Sequence, residues 1–240
     1  MSINNVIAFG DSIMKGVVAD PTKISEGTIK YTVSDNNFVS QCSDSVGKPI
    51  NNLARFGCTI RKGMSLLNRH LKEIQSGDAV VLEFGGNDCN FDWKAISDDP
   101  DGDHQPITSL QTFRRIYNNI IDNILSLNAM PVLLSLPVID SQKFFNHVSR
   151  GLNGENILKW LGGDVNHINN WHEQYNLAIF KMGAARRVPV IDITSIFLEK
   201  TNLGRFYCPD GMHPNEDGHR LIAEKIVHVM EREGLTLKAC

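Results

Sequence analysis

The sequence predicts an α/β domain with three layers, in which helices cover both faces of a parallel β-sheet. Two observations predict this fold class. Five short apolar runs of strand length recur along the chain, and segments with helical spacing lie between them. The chain has 240 residues, with no internal repeat and no Pro/Gly/Ser-rich linker. Because that length can bury one full core, we expect residues 1–240 to form a single domain.

The predicted strands are the five apolar runs. They are Asn5–Phe9, Ile50–Leu53, Ala79–Phe84, Val132–Leu136 and Val188–Ile191. The predicted helices place apolar residues three or four positions apart, and they are Arg61–Ile74, Ser109–Leu127, His167–Ala185 and Glu216–Arg232. Strands that alternate with helices run parallel, so their carboxyl ends meet at one edge of the sheet, where such sheets bind ligands.

Three longer segments have no clear period: Val17–Asn36, Asn90–Ile107 and Pro137–Asp164. Loops of this length in a compact domain usually have a function, and we assign substrate choice to the second and third. The third segment is rich in large apolar residues, which predicts short helices that form a cap over the site or a homodimer contact. The alternative is a helical insertion that only packs on the sheet edge.

Composition excludes several classes of partner. The chain has 24 basic and 27 acidic residues, for a net charge of -3, and it lacks the basic stripe that binds nucleic acid. No apolar run approaches the roughly 18 residues of a membrane span. The first apolar run has neither a basic flank nor a small-residue cleavage site, so we interpret it as a core strand. We therefore expect a cytoplasmic protein that binds neither nucleic acid nor membranes.

Four short motifs follow one another along the chain, and together they contain the residue types that a serine hydrolase needs. They are GDS at residues 10–12, NLARFG at 52–57, GGND at 85–88 and DGMHP at 210–214. The first three each follow a predicted strand, so they should meet at one edge of the sheet. A serine nucleophile needs a general base, an orienting group for that base, and donors for the oxyanion that forms. The four motifs contain residues suited to each role.

Ser12 is the candidate nucleophile, because the turn after a buried strand can hold its hydroxyl in a cleft; the alternative is a helix-capping serine. His213 is the candidate base and Asp210 its orienting carboxylate, since a separation of three residues lets both side chains converge. The backbone N–H of Ser12, the N–H of Gly57 and the amide of Asn87 are the candidate oxyanion-hole donors.

The four motifs together resemble those of the SGNH (GDSL-type) hydrolase family, from Ile7 to about His219. Trypsin-like proteases continue their motif as GDSGG, whereas Ser12 is followed here by Ile13 and Met14. The G-x-S-x-G motif of other α/β-hydrolases is absent. The resemblance implies a flavodoxin-like parallel sheet and a hydrolase that needs no cofactor.

The predicted activity is hydrolysis of carboxylic esters, with short-chain or acetyl esters favoured, through an acyl-Ser12 intermediate. The substrate would be a small-molecule or carbohydrate ester. The first alternative is an acyltransferase that moves an acetyl group to or from a carbohydrate hydroxyl, since both reactions use the same acyl-enzyme. A non-catalytic binding module is the second alternative. It is disfavoured because the set of catalytic residue types is complete and no glycine-rich phosphate loop is present.

Two aromatic residues, Phe91 and Trp93, follow GGND and are candidates for the wall of the substrate pocket; the alternative is that they belong to the core. Three of the five cysteines, Cys58, Cys89 and Cys208, lie close to the motifs in sequence. They could line the rim of one pocket, or serve as small apolar residues in tight loops.

No metal site is predicted. His219 lies in HPNEDGH, which has the composition of a ligand cluster, but the family resemblance makes it structural. The acidic run at 98–103 resembles a calcium loop and lacks the closing glutamate, so a solvated turn is the interpretation.

Overall fold

The computed structural model describes residues 2–20, 29–233 and 236–237. Its strands are β1 (Ser2–Ile3), β2 (Val6–Gly10), β3 (Val17–Ala19), β4 (Tyr31–Val33), β5 (Ile50–Asn52), β6 (Ala79–Glu83), β7 (Met130–Leu134), β8 (Val190–Ile191) and β9 (Thr236–Leu237). Five of them form a parallel sheet in the order β5-β2-β6-β7-β8. Numbered within the sheet this order is 2-1-3-4-5, that of flavodoxin-like domains. The predicted fold class is confirmed.

All five predicted strands are present, with shifted ends. The largest shift is in β7, which was predicted at Val132–Leu136 and begins two residues earlier, where Met130 N–H donates to the carbonyl of Asp78. The last strand, predicted at Val188–Ile191, is only two residues long because Pro189 has no N–H to donate, although its carbonyl accepts a bond from Leu133 N–H.

The helices are α1 (Ser12–Lys15), α2 (Phe38–Val46), α3 (Ile60–His70), α4 (Trp93–Asp98), α5 (Leu110–Ser126), α6 (Ser141–Val148), α7 (Gly154–Trp160), α8 (His167–Arg186), α9 (Ser195–Leu198) and α10 (Glu216–Arg232). Single 3₁₀ turns lie at Leu71–Glu73 and Leu203–Phe206. The predicted helix Arg61–Ile74 therefore ends earlier, at His70. None of the helices within the described ranges is long and apolar enough to cross a bilayer.

Helices cover both faces of the sheet because its strands are apolar on both sides. Helices α3, α5 and α8 share one buried cluster with alternate residues of β6, such as Val80 and Leu82. Helices α2 and α10 share a second cluster with Ala8 of β2 and with Val132 and Leu134 of β7. The sheet is therefore the middle of three layers, and its carboxyl edge remains available for a site.

The segment Val17–Asn36, predicted to be irregular, contains an antiparallel pair in which β3 lies beside β4. Residues 21–28 of this segment lie outside the described residues. The pair places Tyr31 opposite Ala19, close to the end of the sheet that carries the GDS motif. Strands of three residues give too short a pattern to be recognised in sequence.

The segment Pro137–Asp164 contains the predicted short helices, α6 and α7, whereas the helix α4 within Asn90–Ile107 was not predicted. They enclose a third buried cluster of seven apolar residues: Phe91, Ile96, Ile139, Phe144, Ile157, Leu161 and Ile168. Ser97 joins α4 to α7, since its hydroxyl accepts from Asn153 N–H at 2.7 Å and its carbonyl accepts from the Asn156 amide at 2.7 Å. These helices form one compact cap beside the GGND loop.

Candidate active site

Ser12 lies directly after β2, at the first position of α1. The helix is capped by Asp11, whose carboxylate accepts the Ile13 N–H at 2.9 Å. The alternative role of Ser12 as the capping residue is therefore wrong. Its hydroxyl instead lies 2.8 Å from Nε2 of His213.

His213 and Asp210 converge because the chain turns sharply between them. Gly211 has a φ of 73°, and Cys208 N–H donates to the carbonyl of His213 at 2.8 Å, which closes the turn. The Nδ1 atom of His213 lies 2.8 Å from Oδ2 of Asp210. All three side chains of the predicted triad are nearly inaccessible, since Ser12, Asp210 and His213 are 4%, 0% and 1% exposed.

Asp210 receives four hydrogen bonds. Its Oδ1 accepts from the N–H groups of Met212 and His213 at 2.9 and 3.0 Å, and its Oδ2 accepts from His213 Nδ1 and from the Tyr31 hydroxyl at 2.6 Å. Burial alone would raise the pKa of Asp210, but these donors and the charge of His213 outweigh it and lower the pKa below its usual value. Asp210 is therefore ionised and can only accept, so Nδ1 of His213 must carry the proton and Nε2 is left as the acceptor for Ser12.

The predicted oxyanion donors lie in loops that follow neighbouring strands of the sheet, since Gly57 follows β5 and Asn87 follows β6, on either side of β2. Gly57 has a φ of 63°, a conformation that favours glycine, and the space where a side chain would lie is open. Asn87 donates one amide hydrogen to Oδ2 of Asp11 at 2.9 Å, which fixes the amide and leaves its second hydrogen for another acceptor. In the described part of the chain neither Ser12 N–H nor Gly57 N–H has a hydrogen-bond acceptor. These two N–H groups and the second amide hydrogen of Asn87 are thus available as candidate donors.

These distances bring the predicted nucleophile, base and orienting carboxylate together at the carboxyl edge of the sheet. A model of the GDSL-like lipase/acylhydrolase family matches residues 8–221. The chain belongs to this family. It is thus an SGNH hydrolase, the family that its sequence motifs resemble.

Solved structures of other SGNH hydrolases share the fold. The chain is 21% identical to a lipase/acylhydrolase from Enterococcus faecalis, with a TM-score of 0.66 and with 96% of this chain and 97% of the other covered. A G-D-S-L family protein from Veillonella parvula is 18% identical, with a TM-score of 0.64 and coverage of 95% and 98%. The psychrotrophic esterase EstA from Pseudoalteromonas sp. is 11% identical, with a TM-score of 0.60 and coverage of 96% and 98%. A search of curated protein sequences finds no significant match.

A second pair of carboxyl groups, from Asp11 and Glu83, lies beneath the nucleophile of this SGNH hydrolase. Glu83 ends β6 and is fully buried, and its Oε2 accepts only long bonds, from Asp11 N–H at 3.3 Å and Met14 N–H at 3.4 Å. Within the described residues its Oε1 has no hydrogen-bond partner. Burial, and next the charge of Asp11, raise the pKa of Glu83 well above its usual value. Burial also raises the pKa of Asp11, so the protonated form is favoured within this buried pair.

Asp88, the last residue of GGND, fixes a loop. Both of its carboxylate oxygens accept from Ile60 N–H, at 3.1 and 2.9 Å, at the start of α3. Burial raises its pKa to about 7. It joins the GGND loop to the loop that carries Gly57, so it supports two of the candidate oxyanion donors.

Two aromatic side chains that were not among the candidate site residues, Tyr31 and Phe56, flank His213. The ring of Tyr31 lies 5.0 Å from the imidazole, and the ring of Phe56 is nearly parallel to it at 6.0 Å. Phe56 is 57% exposed although it is large and apolar. Its position directly before Gly57 was the available sequence signal; Tyr31 had none, because it lies 179 residues from Asp210 in the chain.

Phe91 and Trp93, the predicted substrate-pocket residues, belong to the cap cluster. Phe91 is 6% exposed and packs on Trp160 and Trp171, with 4.9 Å between ring centroids in each case. Both Phe91 and Trp93 also line a small cavity of about 20 Å³ that borders on Gly86 of the GGND loop. Their contact with substrate stays a prediction.

The three cysteines near the motifs are buried and lie in three separate environments, which favours the alternative that they are small apolar residues in tight loops. Cys58 borders a surface groove, and Cys89 lines the small cavity beside Gly86. Cys208 accepts from Ala19 N–H at 3.2 Å, on the side of the β3–β4 pair. Burial raises the pKa of each thiol, to about 11 for Cys58 and Cys208, so these groups are not reactive at neutral pH.

His219 is buried and stacks on Phe38, with 5.7 Å between ring centroids, and burial lowers its pKa to about 4. The acidic run at 98–103 is bound by cations of the cap, since Lys94 pairs with Asp98 and Lys159 with Asp101, both at 2.6 Å. The ranges that the structure describes contain no group of three or more His, Cys, Asp or Glu residues that could hold a metal ion.

Proposed function

We propose that this SGNH hydrolase cleaves carboxylic esters through an acyl-Ser12 intermediate. One observation carries the proposal: the hydrogen-bond chain from Ser12 Oγ through His213 to Asp210, with 2.8 Å at each step. It is the arrangement that makes a serine hydroxyl nucleophilic.

The geometry supports the following steps. His213 Nε2 takes the proton of the Ser12 hydroxyl as Oγ attacks the ester carbonyl carbon, and Asp210 stabilises the imidazolium that forms. The carbonyl oxygen becomes an oxyanion that accepts from Ser12 N–H, Gly57 N–H and the Asn87 amide. When the intermediate collapses, the bond to the alcohol oxygen breaks and His213 gives its proton to that oxygen. Water then repeats the sequence on the acyl-enzyme and releases the acid.

The small cavity beside Gly86 supports a short acyl group. Its volume of about 20 Å³ is close to that of one water-sized probe, and its walls are aromatic and aliphatic side chains. An acetyl methyl would need little more room, whereas a long chain would have to displace the cap cluster. We therefore propose acetyl or other short-chain esters as substrates.

A panel of p-nitrophenyl esters of increasing acyl length tests the acyl preference. We expect kcat/KM to be highest for acetate and to fall as the chain lengthens. Trp93→Ala should shift the preference towards longer acyl chains, because Trp93 lines the cavity. Trp160→Ala is the matched control, since Trp160 packs on Phe91 in the same cluster without lining the cavity. Equal shifts in both variants would contradict this assignment of the acyl pocket.

Ser12→Ala tests the activity itself. We expect this variant to fold normally and to lose nearly all ester hydrolysis. Product analysis with acetylated substrates and free sugars separates hydrolysis from acetyl transfer, because hydrolysis releases free acid whereas transfer yields a new sugar ester. The Pseudoalteromonas esterase has been solved inhibited by monoethylphosphonate, and we expect phosphonates to block Ser12 in the same way. Wild-type turnover by Ser12→Ala would contradict the proposal.

A further inference from the structure

A groove of about 300 Å³ opens on the molecular surface beside Gly57. It is lined by Arg55, Phe56, Cys58, Lys62, Leu66 and Arg69. The groove follows β5, whereas the small cavity beside Gly86 follows β6, and β2 with Ser12 lies between these two strands. The two recesses therefore lie on opposite sides of the nucleophile.

The groove is basic. Arg55, Lys62 and Arg69 are exposed, and none of them forms a salt bridge with an acidic side chain anywhere in the described ranges. Lys62 donates to the carbonyl of Gly57 at 3.1 Å, which places its charge next to a candidate oxyanion donor. Lys62 and Arg69 are seven residues apart on α3, a rise of about 10 Å. Three unneutralised cations along a concave surface attract anions.

Phe56 joins this groove to the catalytic residues. Its ring lines the groove and is also nearly parallel to the imidazole of His213, at 6.0 Å and 11°. In the proposed reaction His213 delivers a proton to the departing alcohol oxygen, so the alcohol part of the ester must lie on the His213 side of Ser12. That part would therefore cross Phe56 and enter the groove.

We propose that the groove binds the alcohol part of a substrate that carries an anionic oxygen group, a carboxylate or a phosphate. This inference rests on the proposed ester hydrolysis, and it narrows the range of substrates to esters with an anionic alcohol part. The acyl group occupies the small apolar cavity, and the charged alcohol part extends from Phe56 towards Arg69. Guanidinium groups bind both carboxylate and phosphate through paired hydrogen bonds, so the two arginines suit either anion.

Three aryl acetates of similar shape test the proposal. They are para-carboxyphenyl acetate, para-acetoxyphenyl phosphate and the neutral para-carbamoylphenyl acetate. We expect kcat/KM of the wild-type protein to be higher for at least one anionic ester than for the neutral one, and high salt should reduce that preference. In an Arg55→Gln/Arg69→Gln variant the ratio of anionic to neutral kcat/KM should fall about tenfold, mainly through KM. The anionic ester whose kcat/KM falls most in this variant identifies carboxylate or phosphate as the group that the groove binds.

Arg114→Gln/Arg115→Gln is the matched control, because it removes two exposed arginines from α5, outside the groove. Its ratio should equal that of the wild type. The proposal is wrong if the ratio is the same in the wild type, the groove variant and the control. Thermal unfolding of each variant verifies that the fold is intact.

Calorimetric binding of the same esters to Ser12→Ala separates this proposal from the proposed reaction. If no ester is hydrolysed by the wild type, but the anionic esters bind more tightly than the neutral one and lose that advantage in Arg55→Gln/Arg69→Gln, the groove is an anion site and the ester hydrolysis is wrong. If anionic and neutral esters bind equally well, the groove proposal fails whether or not the protein is an esterase.

Discussion

Two buried carboxyl networks meet at Ser12, and they differ in how many hydrogen bonds they receive. Asp210 accepts four, from two backbone N–H groups, His213 and Tyr31. Glu83 accepts two long ones and leaves one oxygen without a partner in the described part of the chain. Both side chains have no exposed surface.

The comparison shows that the number of hydrogen-bond donors, and not the depth of burial, determines whether the pKa of a buried carboxyl group is lowered or raised. Desolvation raises the pKa of both groups. At Asp210 the donors reverse this effect, so a negative charge lies behind His213, where an imidazolium must form. At Glu83 they do not, and the pKa stays raised. The neighbouring Asp11 caps α1 and accepts from the Asn87 amide. In the proposed mechanism, the Asp210 network stabilises the base and the network of Asp11 and Glu83 positions an oxyanion donor.

The largest effect should come from Asp210→Asn. An asparagine cannot accept from four donors, and it leaves His213 without the acceptor that keeps the proton on Nδ1. We expect kcat to fall about 10⁴-fold, measured with p-nitrophenyl acetate. Asp192→Asn is a control, because Asp192 accepts from the N–H groups of Thr194 and Ser195 at the start of α9 and belongs to neither network. A loss below about tenfold would show that Asp210 does not orient the base.

Asn87→Ala should reduce kcat about 10²- to 10³-fold, since it removes one oxyanion donor. Asp11→Asn should reduce it less, because Asn87 keeps its amide and loses only the charge of its partner. The measurement is kcat for both variants with the same ester. If Asp11→Asn costs as much as Asn87→Ala, Asp11 does more than hold that amide.

Tyr31→Phe removes one of the four donors to Asp210. The pKa of Asp210 should rise towards its usual value, yet the carboxylate stays ionised at neutral pH, so only the orientation of His213 weakens. We expect kcat to fall about tenfold with KM unchanged, by a factor that is constant above about pH 6. Tyr117→Phe is the matched control, since its hydroxyl donates to the carbonyl of Leu82 at 3.3 Å, away from the triad. A change confined to KM would assign Tyr31 to substrate binding instead.

Glu83→Gln should change stability more than activity. Because the pKa of Glu83 is raised well above 4.5 in the folded protein, the folded state keeps a proton that the unfolded state loses. The stability of the wild type therefore falls as pH rises above 4.5, the ordinary pKa of a glutamate. Glutamine removes that loss, so the variant should gain stability relative to the wild type between about pH 5 and about pH 8. Urea unfolding at both pH values measures the gain, and a difference that does not depend on pH would mean that Glu83 is ionised when folded.

The sequence predicts those features of this molecule that depend on residues close together in the chain. Each of the five strands is a local apolar run, and Asp210 and His213 lie within one motif. The contact between Tyr31 and Asp210 has no such signal, because it joins a three-residue strand to a loop 179 positions away. The three cysteines were considered together because each lies near a motif in sequence. A side chain next to a site residue in sequence can point away from the site, and the three cysteines lie in separate environments. Glu83 had a sequence signal that was missed. A carboxyl group within an apolar strand implies a buried carboxyl group in an unusual environment.

In the proposed mechanism Asp210 activates Ser12 through His213. Covalent labelling tests this activation most directly. A fluorophosphonate should modify the wild-type protein at Ser12, as located by mass spectrometry of its peptides. The rate of labelling should fall sharply in Asp210→Asn and change little in Glu83→Gln. A label on another serine, or equal labelling rates in the wild type and Asp210→Asn, would contradict this account.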